Sequence, residues 1–151
     1  MTSQEDFMKF CLTMALGLAA GILLTRAAEN DGVAFFGHDQ VGAALAKGGT
    51  LLTRGGYMVQ GSHRDKAGGV EVHDRETDVI YVVDGTATFV TGGAMIGGKD
   101  TRPGQHLGAD IQGGETHHLV KGDVVVVPAG TPHWFKEVPG QISYFVVKVL
   151  Q

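Results

Sequence analysis

Four side chains able to bind a metal ion stand beside short apolar runs of the sequence. Glu71 and His73 are separated by a single residue, and Asp78 directly precedes the apolar run at residues 79–83. His133 follows a Pro-Ala-Gly turn that ends a second apolar run. Imidazoles and carboxylates are common protein ligands of first-row divalent metals. If the segments that carry them are neighbours, these four side chains can converge on one point.

The alternation of side chains along a strand decides which of these groups share a face. Because the period is two, Glu71 and His73 point the same way. By the same rule Asp78 shares a face with Ile80, which predicts a carboxylate carried into an otherwise apolar interior. Tyr81 then lies in an outward apolar row that needs cover from a second sheet or a dimer partner. We therefore expect a homodimer.

Composition restricts the class of protein. The chain has 151 residues, a formal charge of −4 and no basic run, so nucleic-acid binding has no electrostatic support. Its 24 glycines and 4 prolines separate short Val-rich segments, which is typical of an all-β domain with many tight turns. The single cysteine, Cys11, excludes an intrachain disulfide and a cysteine-based zinc cluster.

Turn signals divide the rest of the chain into strands. Residues 33–36 are predicted as a short strand, and Asp39 as the cap of a short helix over residues 41–47. Residues 50–54 and 57–63 are predicted to pair about a Gly-Gly turn. Many short strands of this kind predict a sandwich or a barrel.

Two further expectations concern the chain after the first apolar run. Asp84 and Gly85 are a type I′ turn signal, which predicts a hairpin between residues 79–83 and residues 86–91. The Gly-rich stretch at residues 92–114 is predicted as a solvated rim loop.

The N-terminus has the pattern of a secretion signal. Residues 10–24 are apolar apart from one threonine and shorter than a typical membrane span, and small residues follow that predict cleavage near Ala27 or Ala28. An uncleaved membrane anchor or a buried helix are the alternatives. We expect residues 1–28 to be a signal peptide or anchor, residues 33–151 to be the folded domain, and the protein to be exported to the periplasm or secreted.

The spacing of glycine, proline and histidine resembles that of the cupin family. The second cupin motif is matched at every spacing by Gly122, Pro128, Gly130 and His133. The first motif is matched by His73, by Asp78 in the place of a glutamate, and by Gly85. Besides Asp78, two places differ from the family pattern, since Glu71 takes the place of the first histidine and Asp65 that of the opening glycine.

The resemblance implies a cupin jelly-roll β-barrel from about residue 48 to residue 150, preceded by the hydrophobic segment and the short helix. It also implies a divalent metal ion, Fe, Mn or Zn, held by His73, Asp78, His133 and Glu71. Glu71 can instead pair with Arg75 or another base. The metal ligands would then be two histidines and one carboxylate. A third alternative is a cupin without metal, whose polar residues are merely hydrogen-bonded.

Two functions remain open on these residues. The first is a metal-dependent oxygenase, isomerase or lyase that acts on a small molecule, with Glu71 as the catalytic base. The second is a metal-free cupin that binds a small, sugar-like ligand without catalysis. The sequence contains no signature that selects a substrate.

The remaining conspicuous side chains carry weaker signals. His117 and His118 are adjacent on a strand, so at most one can face the interior. His63 is expected to have a hydrogen-bonded or surface role. One of Trp134 and Phe135 is expected to pack in the wall of the pocket.

Overall fold

The computed structural model describes residues 32–151, most of which lie in short strands. Within them one helix, α1 (His38–Lys47), is followed by thirteen strands. These are β1 (Gly49–Arg54), β2 (Tyr57–Arg64), β3 (Val70–His73), β4 (Glu76–Gly85), β5 (Ala87–Thr91), β6 (Ala94–Ile96), β7 (Lys99–Arg102), β8 (Gln105–Gly108), β9 (Asp110–Gln112), β10 (Glu115–Leu119), β11 (Val124–Val127), β12 (His133–Glu137) and β13 (Ile142–Leu150). The expected export segment and its boundary at residue 28 lie outside the described residues. In residues 32–151 no helix has the length and apolar character needed to cross a membrane.

Two antiparallel sheets enclose the core. Five strands pair in the order β1-β2-β13-β4-β11, and six pair in the order β10-β5-β12-β3-β8-β7. Apolar side chains from both sheets form one buried cluster, with Phe89 and Phe135 from the larger sheet against Ile80 and Val82 from the smaller one. The predicted all-β jelly-roll fold is confirmed.

The alternation along β4 is as predicted from the sequence. Asp78, Ile80 and Val82 are 4%, 2% and 0% exposed, because they face the interior between the sheets. Tyr81 is 46% exposed on the other face, beside the exposed side chain of Val124 on β11. Dimerisation through this outer face stays a prediction.

The predicted hairpin at Gly85 is wrong. β4 pairs with β13 and β11, whereas β5 pairs with β10 and β12 in the other sheet. The chain therefore crosses between sheets at this point. Gly85 does have a positive φ, of 83°, and a Cβ there would collide with the carbonyl group of Gln141. Gly85 thus permits a tight corner between the two sheets. The Asp-Gly pattern is the same for such a corner and for a hairpin, so the sequence alone could not separate them.

Three other local predictions are corrected. Residues 33–36 are irregular and form no strand, and α1 begins at His38. Gly37 rather than Asp39 is the N-cap, and its N–H donates to Gln40 Oε1 at 3.2 Å.

Residues 92–114 are not a loop, because they contain β6 to β9 joined at positive-φ glycines such as Gly104. β8 pairs with β3, so this segment reaches the candidate site.

Candidate metal centre

Strand pairing brings the four candidate residues together inside the barrel. Glu71 and His73 lie on β3, and His133 begins β12 directly opposite Glu71. Asp78 enters from β4 in the opposing sheet. His73, Asp78 and His133 are between 4% and 6% exposed, whereas the side chain of Glu71 is 31% exposed. Glu71 is therefore partly open to solvent, whereas the other three candidate ligands are buried.

The potential ligand atoms of these residues lie close together. His73 Nε2 is 3.6 Å from Glu71 Oε2 and 3.5 Å from Asp78 Oδ2. His133 Nε2 is 3.8 Å from the same Asp78 oxygen. One ligand atom each from Glu71, His73 and His133 lie within 4.8 Å of one another, which is compatible with a single cation between them.

The outer nitrogen of each imidazole is already engaged. His73 Nδ1–H donates to the amide oxygen of Gln105, and His133 Nδ1–H donates to the carbonyl oxygen of Thr131 at 3.1 Å. These acceptors leave the lone pair of each Nε2 directed toward the other candidate ligands. Burial lowers the pKa of His133, which favours the neutral ring that binds metals. His73 Nε2 is buried and has no hydrogen-bond partner.

Both candidate carboxylates have a protein cation beside them. Arg64 Nη2 donates to Glu71 Oε1 at 3.2 Å, so Arg64 is the base that pairs with Glu71. Arg75 instead donates to the backbone carbonyl of Gln151. Lys148 Nζ donates to both oxygens of Asp78, at 2.8 and 2.9 Å. Burial alone would raise the pKa of Asp78, but the contact with His73, when that ring is protonated, and the contact with Lys148 outweigh burial and lower that pKa.

Four residues at the site have no counterpart among the sequence-based candidates: Glu76, Arg64, Gln105 and Lys148. Glu76 forms a second close grouping with His73 and Asp78, and it lies 3.2 Å from Lys148 Nζ. Its position two residues before Asp78 was a usable signal, because both share a face of β4. Lys148 was also visible as the one charged residue inside the apolar run of β13. Arg64 and Gln105 could be placed only with the strand pairing known.

A cavity of about 140 Å³ opens beside the candidate ligands. Glu71, Asp78 and His133 line one part of it, and Arg64 and Tyr144 line another. Phe135 is buried in its wall, as expected for one of the two aromatic residues after His133. A small molecule in this space would contact the candidate metal ligands directly.

The other histidines lie apart from this group. His117 Nε2 is 2.9 Å from the Thr91 hydroxyl, while the adjacent His118 is exposed. His63 Nδ1 is 3.0 Å from the Ser143 hydroxyl, in the hydrogen-bonded role expected for it. His106, which the sequence placed in a loop, lies on β8.

Sequence comparison identifies the family. A family model described as Cupin matches residues 54–149, which is more than half of the chain. The chain is a cupin. Two of its three departures from the family motifs, Glu71 and Asp78, lie where the structure gathers candidate ligands. This cupin matches none of the curated proteins with which it was compared.

Solved structures share the fold of this cupin at low sequence identity. A protein from Bacillus halodurans is 14% identical with a TM-score of 0.50, and the match covers 68% of each chain. A conserved protein of unknown function from Streptococcus pyogenes is 19% identical with a TM-score of 0.47, covering 68% of this chain and 71% of that one. A predicted oxalate decarboxylase from Thermotoga maritima is 14% identical with a TM-score of 0.42, covering 63% and 65%. At such identities the similarity extends to the fold alone.

Proposed function

We propose that this cupin binds one divalent metal ion through His73 and His133 together with Glu71 and Asp78, and acts on a small molecule bound beside it. The observation that carries the proposal is the buried Nε2 atom of His73, which has no hydrogen-bond partner and lies 3.5 Å from Asp78 Oδ2, the oxygen that is 3.8 Å from His133 Nε2. A buried polar atom without a partner is destabilising, and a coordinated cation would remove that penalty.

The donor set fits Fe(II), Mn(II) or Zn(II), since it combines neutral imidazoles with carboxylates. When bound, such an ion supplies Lewis-acid or oxygen chemistry to a substrate. Glu71 is the group suited to move a proton, because its partly exposed carboxylate faces the cavity. Its hydrogen bond to Arg64 fixes its position beside a bound molecule. We assign it the role of general base in an isomerase or lyase reaction.

Two imidazoles and a carboxylate are also the donor set of non-haem iron oxygenases. Oxygen uptake by the iron-loaded protein, measured with the substrate once that is found, separates the oxygenase from the isomerase and the lyase. An oxygenase consumes oxygen in proportion to product, and the other two classes consume none.

A metal-free binding protein is the second candidate, and one observation favours it. The ammonium group of Lys148 donates to Asp78 and lies beside Glu76, so the protein already balances part of the charge at the centre. In that case the cavity would hold a small ligand by hydrogen bonds alone.

Metal analysis of the full chain, purified without a histidine tag, tests the proposal. We expect stoichiometric Fe, Mn or Zn in the native protein and none in His73→Ala or His133→Ala. His118→Ala, on the exposed side of β10, is the matched control and should retain the metal. Full occupancy in both substituted proteins, or no binding of these metals by the native protein, would favour the metal-free binding protein.

Export remains a proposal based on the N-terminal sequence. Protein recovered from its native host should begin near Ala28 and lie outside the cytoplasm. An intact Met1 on cytoplasmic protein would contradict export, while an intact N-terminus in the membrane fraction would indicate the anchor.

A further inference from the structure

We infer that the cavity beside the candidate centre binds a small carboxylate anion through Arg64 and Tyr144. The inference rests on the proposed function, because the ligand would lie against the same centre, and it adds the chemical class of that ligand. Its basis is the size of the cavity, the fixed position of Arg64 and the distribution of charge.

The cavity restricts the size of the ligand. Its volume is about 140 Å³, and a cavity of about 150 Å³ accommodates benzene, so about six non-hydrogen atoms fit. Ile80, Phe135 and Val146 provide an apolar part of the wall, while Arg64 and Tyr144 provide polar atoms. A short aliphatic acid matches both parts.

Arg64 is held in place before any ligand arrives. Its Nε–H donates to the Tyr144 hydroxyl at 3.0 Å, and its Nη2 donates to Glu71. Its guanidinium carbon lies 4.8 Å above the centre of the Phe135 ring. Among residues 32–151 no side chain or carbonyl accepts a hydrogen bond from its Nη1 atom. A fixed guanidinium with donors to spare is suited to binding a carboxylate.

A glycine leaves room for that guanidinium. A Cβ atom on Gly68 would lie 2.7 Å from Arg64 Nη1. Gly68 itself cannot easily shift, because its N–H donates to the Phe135 carbonyl and its own carbonyl accepts from the Trp134 indole at 2.7 Å. A side chain at this position would therefore displace Arg64 instead.

Tyr144 offers a second donor to the same space. Its hydroxyl oxygen accepts from Arg64, which leaves its hydrogen free to donate to a ligand. Its ring stacks on Phe135 with the centroids 4.9 Å apart, so the hydroxyl has a fixed position. The two oxygens of a carboxylate can accept from Arg64 and Tyr144 together.

The charges at the site predict how a metal would affect the anion. The three carboxylates of Glu71, Glu76 and Asp78 face the two cations Arg64 and Lys148, which leaves one excess negative charge when the imidazoles are neutral. A divalent cation reverses the sign of that excess. The carboxylate should therefore bind more tightly to the metal-loaded protein than to the metal-free protein.

Titration of the zinc-loaded full chain with isobutyrate and with isobutyramide, followed by NMR, tests the inference. The two probes share a shape, and only isobutyrate carries a charge. We expect isobutyrate to bind about tenfold more tightly or better, and Arg64→Met to remove that preference. Tyr144→Phe should weaken isobutyrate binding about fivefold, and Gly68→Ala should weaken it by displacing Arg64. Arg102→Met, exposed on β7, is the matched control and should bind as the native protein does.

Zinc content is measured on the same samples, which separates the two proposals. Equal affinity for both probes, or unchanged isobutyrate binding in Arg64→Met and Gly68→Ala, overturns the carboxylate site while leaving the metal centre intact. If the native protein binds no zinc, the proposed function fails. The same comparison on metal-free protein then decides the carboxylate site, which stands if isobutyrate is preferred and falls if it is not.

Discussion

His73 Nε2 lies 3.5 Å from Asp78 Oδ2, and both residues are buried. In the neutral ring the one hydrogen is on Nδ1 and is donated to Gln105 on the other side, so the inward nitrogen then presents a lone pair to a carboxylate. Two acceptors facing each other in a buried site repel unless a metal cation or a proton lies between them. Lys148 supplies part of that charge at Asp78, and His73 Nε2 receives none of it through a hydrogen bond.

Replacing Gln105 by leucine should weaken metal binding without removing a candidate ligand. Without its acceptor, His73 loses the contact that fixes its tautomer and ring orientation, and the loss of such a contact typically lowers metal affinity about 10-fold to 100-fold. Competition with a chromophoric chelator measures the zinc affinity. Gln112→Leu, exposed on β9, is the matched control.

Gln105→Glu distinguishes positioning from packing. A carboxylate at this place also accepts from His73 Nδ1–H, so zinc affinity should stay near the native value. Native affinity in Gln105→Leu would show that the contact with His73 contributes nothing to the metal site.

Lys148→Met should have opposite effects on the metal-free and metal-loaded proteins. Removing the ammonium leaves Asp78 and Glu76 without their cation, and breaking such a buried pair typically costs about 3–5 kcal/mol of the free energy of unfolding. Zinc affinity should rise, because Nζ no longer competes for Asp78. Denaturation with a chelator present and zinc titration measure the two effects.

Lys121→Met, in an exposed turn, controls for the general loss of a positive charge. A fall in zinc affinity in Lys148→Met alone would mean that Lys148 supports the metal site instead of competing with it.

Sequence patterns predicted the interior of this cupin better than its connections. Alternation placed Asp78 and Ile80 inward because a buried strand face has a period of two. The strands that pair with β5 could not be predicted. A glycine with positive φ, such as Gly85, is found both in a hairpin turn and where the chain crosses between sheets. Gln105 was missed for a related reason, because its contact with His73 depends on the pairing of β3 with β8. Local patterns do not encode such pairing between distant strands.

His106 should make stability depend on pH. Its two ring nitrogens lie 2.7 Å from Asp100 and 2.8 Å from Asp74, and both can donate only from the protonated ring. Hydrogen bonds to Asp100 and then Asp74 raise the pKa of His106. A raised pKa in the folded state gives a stabilisation that is complete below the unfolded value and is lost as pH rises through the folded value.

The melting temperatures of native protein and His106→Gln, both metal-free, should therefore differ at about pH 5 and converge by about pH 9. A difference that stays constant over this range would show that protonation of His106 does not stabilise the fold.

The position of a bound metal tests the account most directly. Anomalous diffraction at the zinc absorption edge, from crystals of the full chain grown with zinc, locates the ion. We predict a peak bonded to Nε2 of both His73 and His133 at about 2.0–2.1 Å. Zinc bound instead by His106 with Asp74 and Asp100, or no zinc at His73, would contradict the account.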